Sequence, residues 1–369
     1  ISVYSKIMNE NNPRNKIKQL DFTQNTRGEV YLQMIDNILR SALNKENELD
    51  TVPATLEFTL YNFSELDYKE RMPDLVVECD TVYKHSKIKI VAPSVKKALE
   101  TCCVISLITS FYEKDYYIED AQYLKYLKFA IELTSEYSLI RQMVSFIKSP
   151  ALYDLALPFI EQTPFNVMMP RAFDARRNFY KTQMMEKTTS KELLELGCGE
   201  GDYFKTHIRH YETVNSVEPD ADAYNEAHHA RRKIRAEDII NLHFTDAMSY
   251  LSDTPSLEGV DVLMTEVVEH IEFVESIRII NTVLEKNPNT FLVTIPNHEF
   301  NKHYGYKPGE FRHDDHLWEP TIAEFESIVA GIKETWGPNF EVTDHYLGDH
   351  LKSNPKNCAT FAILIKAVK

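Results

Sequence analysis

Residues 193–202 read LLELGCGEGD. An apolar strand-like run carrying Glu195 passes directly into glycines at 197, 199 and 201. Glycines at such a turn let the backbone bend sharply from strand to helix and approach a ligand closely, with the N-terminus of the next helix facing it. Three of the chain's ten glycines fall within these five residues, which argues against an idle loop. The spacing is G-x-G-x-G, unlike the G-x-G-x-x-G of dinucleotide binders.

From about residue 174 the pattern alternates between strands and helices. Strands are expected at 191–196, 213–217, 240–244, 260–265 and 290–295, and helices at 203–211, 222–235 and 267–284. Such a βαβ series implies a mainly parallel sheet. Segments 340–347 and 358–368 then close it as an antiparallel hairpin. Glu218 ends the second strand about 20 residues after the glycines, where an acidic side chain accepts hydrogen bonds from ribose hydroxyls. This strand pattern resembles the class I S-adenosylmethionine-dependent methyltransferases. The resemblance implies an α/β, Rossmann-like fold with a seven-stranded sheet over residues 166–369. It also implies S-adenosylmethionine as cofactor, held by Glu195, Gly197, Gly199, Gly201, Glu218 and Asp246. Asp246 has two readings, a partner for the adenine amino group or the cap of the next helix.

Residues 1–165 read as a separate α+β, largely helical accessory domain. Alternation with β-branched and aromatic enrichment at 55–63 and 74–91 signals strands with a possible hairpin, and 94–112 and 121–147 carry helical periodicity. Pro150, Pro158, Pro164 and Pro170 suggest a connecting segment. Tyr116, Tyr117, Tyr123 and Tyr126 have two readings, stacking on single-stranded bases or filling a core. A protein partner is the other role open to this domain.

The 369 residues carry a net charge of −15, and the excess is uneven: 19 basic against 23 acidic side chains in 1–170, but 22 against 33 in 171–369. That balance disfavours diffuse attraction to nucleic acid. A polyanion would have to meet local clusters such as Arg171, Arg176, Arg177 and Lys181, or Arg231, Arg232, Lys233 and Arg235, or else a metal ion; both clusters also read as solvated helix faces. No apolar run reaches the roughly 18 residues of a membrane span, the start is polar, and the five cysteines lack CxxC spacing. An intracellular, cytoplasmic protein with reduced thiols and no membrane partner is expected. The first residue, Ile1, suggests a processed product or a piece of a longer chain.

Residues 259–273 read GVDVLMTEVVEHIEF. If the segment after the strand is helical, Glu266, Glu269 and His270 share one face at i, i+3 and i+4 beside the cofactor crevice. Two carboxylates and an imidazole suit Mg2+ or Mn2+, although acidic residues also favour helix starts for electrostatic reasons. Further on come IPNHEFN at 295–301 and FRHDDHLWEP at 311–320.

Together these segments resemble the Hen family of small-RNA 3′-terminal 2′-O-methyltransferases. The family combines an E-x-x-E-H helix start, a P-N-x-E-[YF]-N strand end and a D-H-x-F-E-W segment. Glu266, Glu269 and His270 match the first; Pro296, Asn297, Glu299, Phe300 and Asn301 match the second; Asp315, His316, Trp318 and Glu319 match the third. Trp318 stands in the Phe position and Pro320 where the family has Trp. Upstream, Pro170, Phe173 and Arg176 look like a degenerate P-P-L-Y-x-Q-R motif, with Ala175 in place of Gln. The resemblance implies a catalytic metal on Glu266, Glu269, His270 and His316, with Arg176, Arg312 and His313 facing the 3′ end of a small single-stranded or short duplex RNA. His313 competes with His316 for the last ligand place, and a proton-accepting role falls to His270 or His313. The competing functions are a 5′-cap 2′-O-methyltransferase, which usually needs a Lys-Asp-Lys-Glu tetrad absent around Thr265-Glu266, a small-metabolite methyltransferase, and a non-catalytic RNA-binding or scaffold protein on the same core.

Overall fold

The structure, a computed structural model, describes residues 53–61, 76–82, 85–111, 120–133, 136–147, 149–168 and 172–368. The chain divides into two compact units, Ile1–Pro164 and Phe165–Lys369.

In the first unit β1 (Ala54–Tyr61), β2 (Val76–Val82) and β3 (His85–Ala92) form an antiparallel sheet in the order β1-β3-β2. Four helices follow, α1 (Val95–Phe111), α2 (Asp120–Leu133), α3 (Tyr137–Ser145) and α4 (Pro150–Ile160). The single helix expected over 121–147 is two, and extended backbone at Glu136 starts the second. The proline-rich stretch expected as a connector contains α4. Ser149 caps it by accepting from the Leu152 amide at 3.2 Å, and Pro150 occupies the first turn, where its missing N–H has no intrahelical role. Tyr123 and Tyr126 are buried core residues, and the Tyr123 hydroxyl donates to the Met143 carbonyl at 2.7 Å, tying α2 to α3. Stacking on bases by these two rings is therefore excluded; Tyr116 and Tyr117 lie outside the described residues.

The second unit opens with β4 (Phe165–Asn166), α5 (Ala172–Phe179) and a π-helical turn at Tyr180–Met185. There follow β5 (Glu192–Leu196), α6 (Phe204–His207), β6 (Thr213–Glu218), α7 (Ala221–Lys233), β7 (Ile240–Phe244), α8 (Ala247–Asp253) and β8 (Val260–Thr265). After a 3₁₀ turn at Val268–His270 come α9 (Phe273–Glu285), β9 (Thr290–Pro296), α10 (His298–Asn301), α11 (Ile322–Trp336), β10 (Phe340–Leu351) and β11 (Asn354–Ala367). The sheet order is β4-β10-β11-β9-β8-β5-β6-β7, with β5 to β9 parallel and β10 and β11 antiparallel. This is the class I methyltransferase sheet with one two-residue edge strand, β4, added to the expected seven.

Central strands such as β8 and β9 are buried on both faces, which explains their largely apolar sequence. Leu194, Leu196, Val262 and Met264 pack on one side with Phe325, which stacks on Phe361 at 4.3 Å, while Leu193, Leu263 and Leu292 meet Tyr180 and Phe204 on the other. Strand order reverses between β5 and β8, so a crevice opens at their carboxyl ends. Among the described residues no helix is long and apolar enough to cross a membrane. Phe325→Ala removes a fully buried ring and is expected to cost about 3–5 kcal/mol in urea unfolding; an unchanged midpoint would contradict this core assignment.

Candidate active site

The glycine loop leaves β5 at the crevice. Gly197 has φ +76°, and a Cβ there would fall 2.5 Å from the Val267 side chain, so the loop lies directly against the segment that follows β8. Gly199 has φ +53° with nothing within 4 Å of its Cβ position, leaving open space beside the backbone. The Gly199 amide donates to Glu218 Oε2 at 2.8 Å, and the Asp220 amide donates to Oε1 at 2.9 Å. Glu218 thus fixes the loop, and each oxygen retains a lone pair for a ligand hydroxyl.

Two expectations change at this loop. The helix after it, α6, is a single turn rather than the span 203–211, so it offers little N-terminal dipole. Glu195 does not face the crevice. It shares a strand face with Leu193, and its buried carboxylate pairs with His207 Nε2 at 3.0 Å and accepts from Ser216 Oγ at 2.9 Å, while His207 Nδ1 meets the Tyr180 hydroxyl at 2.8 Å. Its role here is to fasten α6 and the π turn beneath the loop. Asp246 is exposed and caps α8, accepting from the Ser249 amide at 2.9 Å. Burial, then Glu195 and Glu218, push the Cys198 thiol above its ordinary range, which favours the neutral thiol over the thiolate.

The segment after β8 is not the start of a long helix. Glu266 takes left-handed backbone at φ +52°, Val268–His270 makes one 3₁₀ turn, and α9 begins only at Phe273. The cause is non-local. Trp318 Nε1 donates to the carbonyls of Val268 and Ile271 at 2.9 and 2.8 Å, Ser276 Oγ donates to Val268 at 2.9 Å, and the Leu317 amide donates to the Glu269 carbonyl at 2.7 Å. These partners occupy carbonyls that a continuing helix would need.

The same contacts carry His316 to the turn. Ligand atoms of Glu269, His270 and His316 lie within 4.8 Å of one another. The two imidazoles meet edge to face at 4.7 Å between centroids. Glu269 is fully buried, and neither of its carboxylate oxygens has a hydrogen-bond partner. Burial, followed by the nearby Glu266 charge, holds its carboxyl well above the usual glutamate range. Glu266 itself turns elsewhere: Oε2 pairs with Arg176 Nη1 at 2.5 Å, and Oε1 accepts from Thr294 Oγ1 at 3.0 Å.

Behind His316 stands a polar frame. His316 Nδ1 lies 2.5 Å from Glu319 Oε1, which also accepts from the Arg312 amide at 2.9 Å, and Asn301 donates to the other oxygen. Burial opposes the charge on Glu319, but His316, Arg312 and Asn301 together hold its pKa below the usual value. The Arg312 side chain donates to Asn301 Oδ1 at 2.7 Å and to the Asn297 and Ala359 carbonyls at 3.2 and 2.6 Å. Its Nε and Nη2 are thus taken up by acceptors within the protein. Asn297 caps α10 through the Glu299 amide at 2.9 Å and donates to the Cys358 carbonyl at 2.9 Å. His313 is exposed, its ring 5.1 Å from that of His316, outside the converged trio.

No family model matches the chain. A small RNA 2′-O-methyltransferase of Caenorhabditis elegans is 28% identical over 205 residues, which is 50% of this chain and 46% of that relative, so the chain spans about half the relative's length. The chain resembles the small-RNA 2′-O-methyltransferases in sequence as well as in motif. Chains of two structures of the Pnkp1/Rnl/Hen1 complex, one described as an RNA repair complex, match it in fold, with TM-scores of 0.72 and 0.70 at 20% and 21% identity. The alignments cover 95% and 99% of this chain and 86% and 87% of those.

Of the residues that the small-RNA methyltransferase resemblance implicates, the structure brings together Glu269, His270 and His316, with Glu266 and Arg176 as an adjoining pair. Gly197, Gly199 and Glu218 line the adjacent loop; Glu195, Asp246 and Arg312 make internal contacts. Pro170 lies outside the described residues. Sequence reasoning matched Glu319 and Asn301 to motifs but missed that they orient His316. Glu269→Met removes a buried carboxyl whose two oxygens have no hydrogen-bond partner and should stabilise the protein in chelator by about 1–3 kcal/mol in thermal unfolding; a destabilised variant would contradict that reading.

Proposed function

We propose that residues 165–369 transfer the methyl group of S-adenosylmethionine to the 2′-hydroxyl of the 3′-terminal nucleotide of a small RNA, with Mg2+ or Mn2+ held by Glu269, His270 and His316 and joined by Glu266. The observation that carries the metal reading is Glu269: a buried carboxylate with two unpartnered oxygens beside two imidazoles is costly unless a cation meets it. Fit to the methyl donor rests on Glu218, which keeps acceptor capacity for ribose hydroxyls, and on the open space at Gly199. The acceptor is drawn from the three ordered motifs and from the relative's activity.

A bound divalent cation supplies Lewis acidity, lowering the pKa of a hydroxyl that touches it. The protein's own residues do the rest by position. Glu319, at His316 Nδ1, fixes the ring's orientation and leaves Nε2 for a metal. Asp315 Oδ2, 3.1 Å from His270 Nδ1, does the same for the second imidazole. The glycine loop, packed against Val267, sets the donor beside this cluster, and such alignment contributes much of the rate when the methyl is already activated. An internal nucleotide, with its 3′-oxygen in a phosphodiester, offers the cluster one hydroxyl instead of two, which gives the site its preference for a free end.

The test is transfer of labelled methyl to short RNA with Mn2+, Mg2+ or chelator. Transfer should require metal, vanish on 2′-deoxy or 3′-phosphorylated ends, and fall at least about 100-fold in Glu269→Ala and His316→Ala. Label persisting on 3′-phosphorylated RNA, or no label on any RNA, would overturn the assignment.

A further inference from the structure

Arg176 projects from α5 and places Nη1 2.5 Å from Glu266 Oε2. The other Glu266 oxygen accepts from Thr294 Oγ1, and the Glu266 amide donates to the Thr294 carbonyl and hydroxyl at 3.1 and 3.2 Å. Glu266 is thereby held off the trio of Glu269, His270 and His316, on backbone that a glutamate adopts only when its surroundings impose it. The pair is largely desolvated, with side chains 15% and 20% exposed, so its attraction is not screened away as on an open surface.

We infer that Arg176 is a resident counter-ion of this site, a built-in cation that a divalent metal must displace from Glu266 before that carboxylate can join the cluster. The inference rests on the metal reading above. A guanidinium and a dication cannot share one carboxylate at close range without mutual repulsion, which at about 4 Å and intermediate dielectric is a strong effect. Metal entry and release of Arg176 are then linked, and by reciprocity any anion that draws Arg176 away, such as an RNA phosphate, raises metal affinity by the factor with which metal raises affinity for that anion. Arg176 is thus a positioning residue that couples cation and polyanion binding.

The test is Mn2+ binding to the full chain, without RNA or methyl donor, followed by the electron paramagnetic resonance of free Mn2+. Arg176→Gln and Arg176→Met, the latter keeping the packed stem, should bind Mn2+ at least about tenfold more tightly than wild type, and Arg176→Lys within about threefold of it. Unchanged or weaker binding by the uncharged variants overturns the inference. If those variants fail to fold, Mg2+ titration of the wild type decides: displacement of the Arg176 Nε–H resonance supports exchange and a stationary resonance overturns it. Binding that is lost in Glu269→Ala yet indifferent to Arg176 overturns this inference alone, whereas wild type that binds no Mn2+ overturns the metal reading with it.

Discussion

The grip of Leu317 and Trp318 on the turn after β8 determines where everything else in the site stands. Leu317 takes the Glu269 carbonyl and Trp318 takes those of Val268 and Ile271, so a stretch that would continue into α9 stops after one 3₁₀ turn. Stopping there faces the Glu269 side chain inward and leaves its oxygens unpartnered beside His270 and His316. The buried Asp261 carboxylate differs: it accepts from Tyr211 and Asn289. Glu269 has both carboxylate oxygens unpartnered, and a ligand of opposite charge is the physical remedy there.

Around that place the motifs divide the work. Asn297 and Asn301 do not reach the trio; they anchor Arg312 and Glu319, and Glu319 orients His316. The second motif is therefore the frame for the third, which explains why a strand end and a loop about 15 residues apart carry such specific side chains. Substituting Trp for Phe at 318 adds an indole N–H, and the structure gives it two carbonyl acceptors.

Much of the second unit was legible because its signals are local. Alternation and apolar runs place β7 and β8 at the observed ends, and the glycines and Glu218 mark the crevice through backbone freedom and strand spacing. What was not legible depends on partners far along the chain. The helix expected over 267–284 begins only at Phe273, because Trp318 takes the carbonyls of Val268 and Ile271; the Arg312 side chain finds acceptors at 297, 301 and 359; and Arg176 finds Glu266, 90 positions on. Glu195 is a subtler case, since the face it shares with Leu193 was readable but the partner waiting there, His207, was not. One local signal was passed over: Thr321 and Glu324 form a capping box that announces α11.

The central claim is that Glu269, His270 and His316 form a cation site. Anomalous diffraction from crystals of the full chain soaked in Mn2+ addresses it directly. The account predicts one strong peak at coordination distance, about 2–2.3 Å, from a Glu269 oxygen and from the inward nitrogens of His270 and His316. A map with no peak between these residues, or with Mn2+ bound only at surface carboxylates, would contradict it.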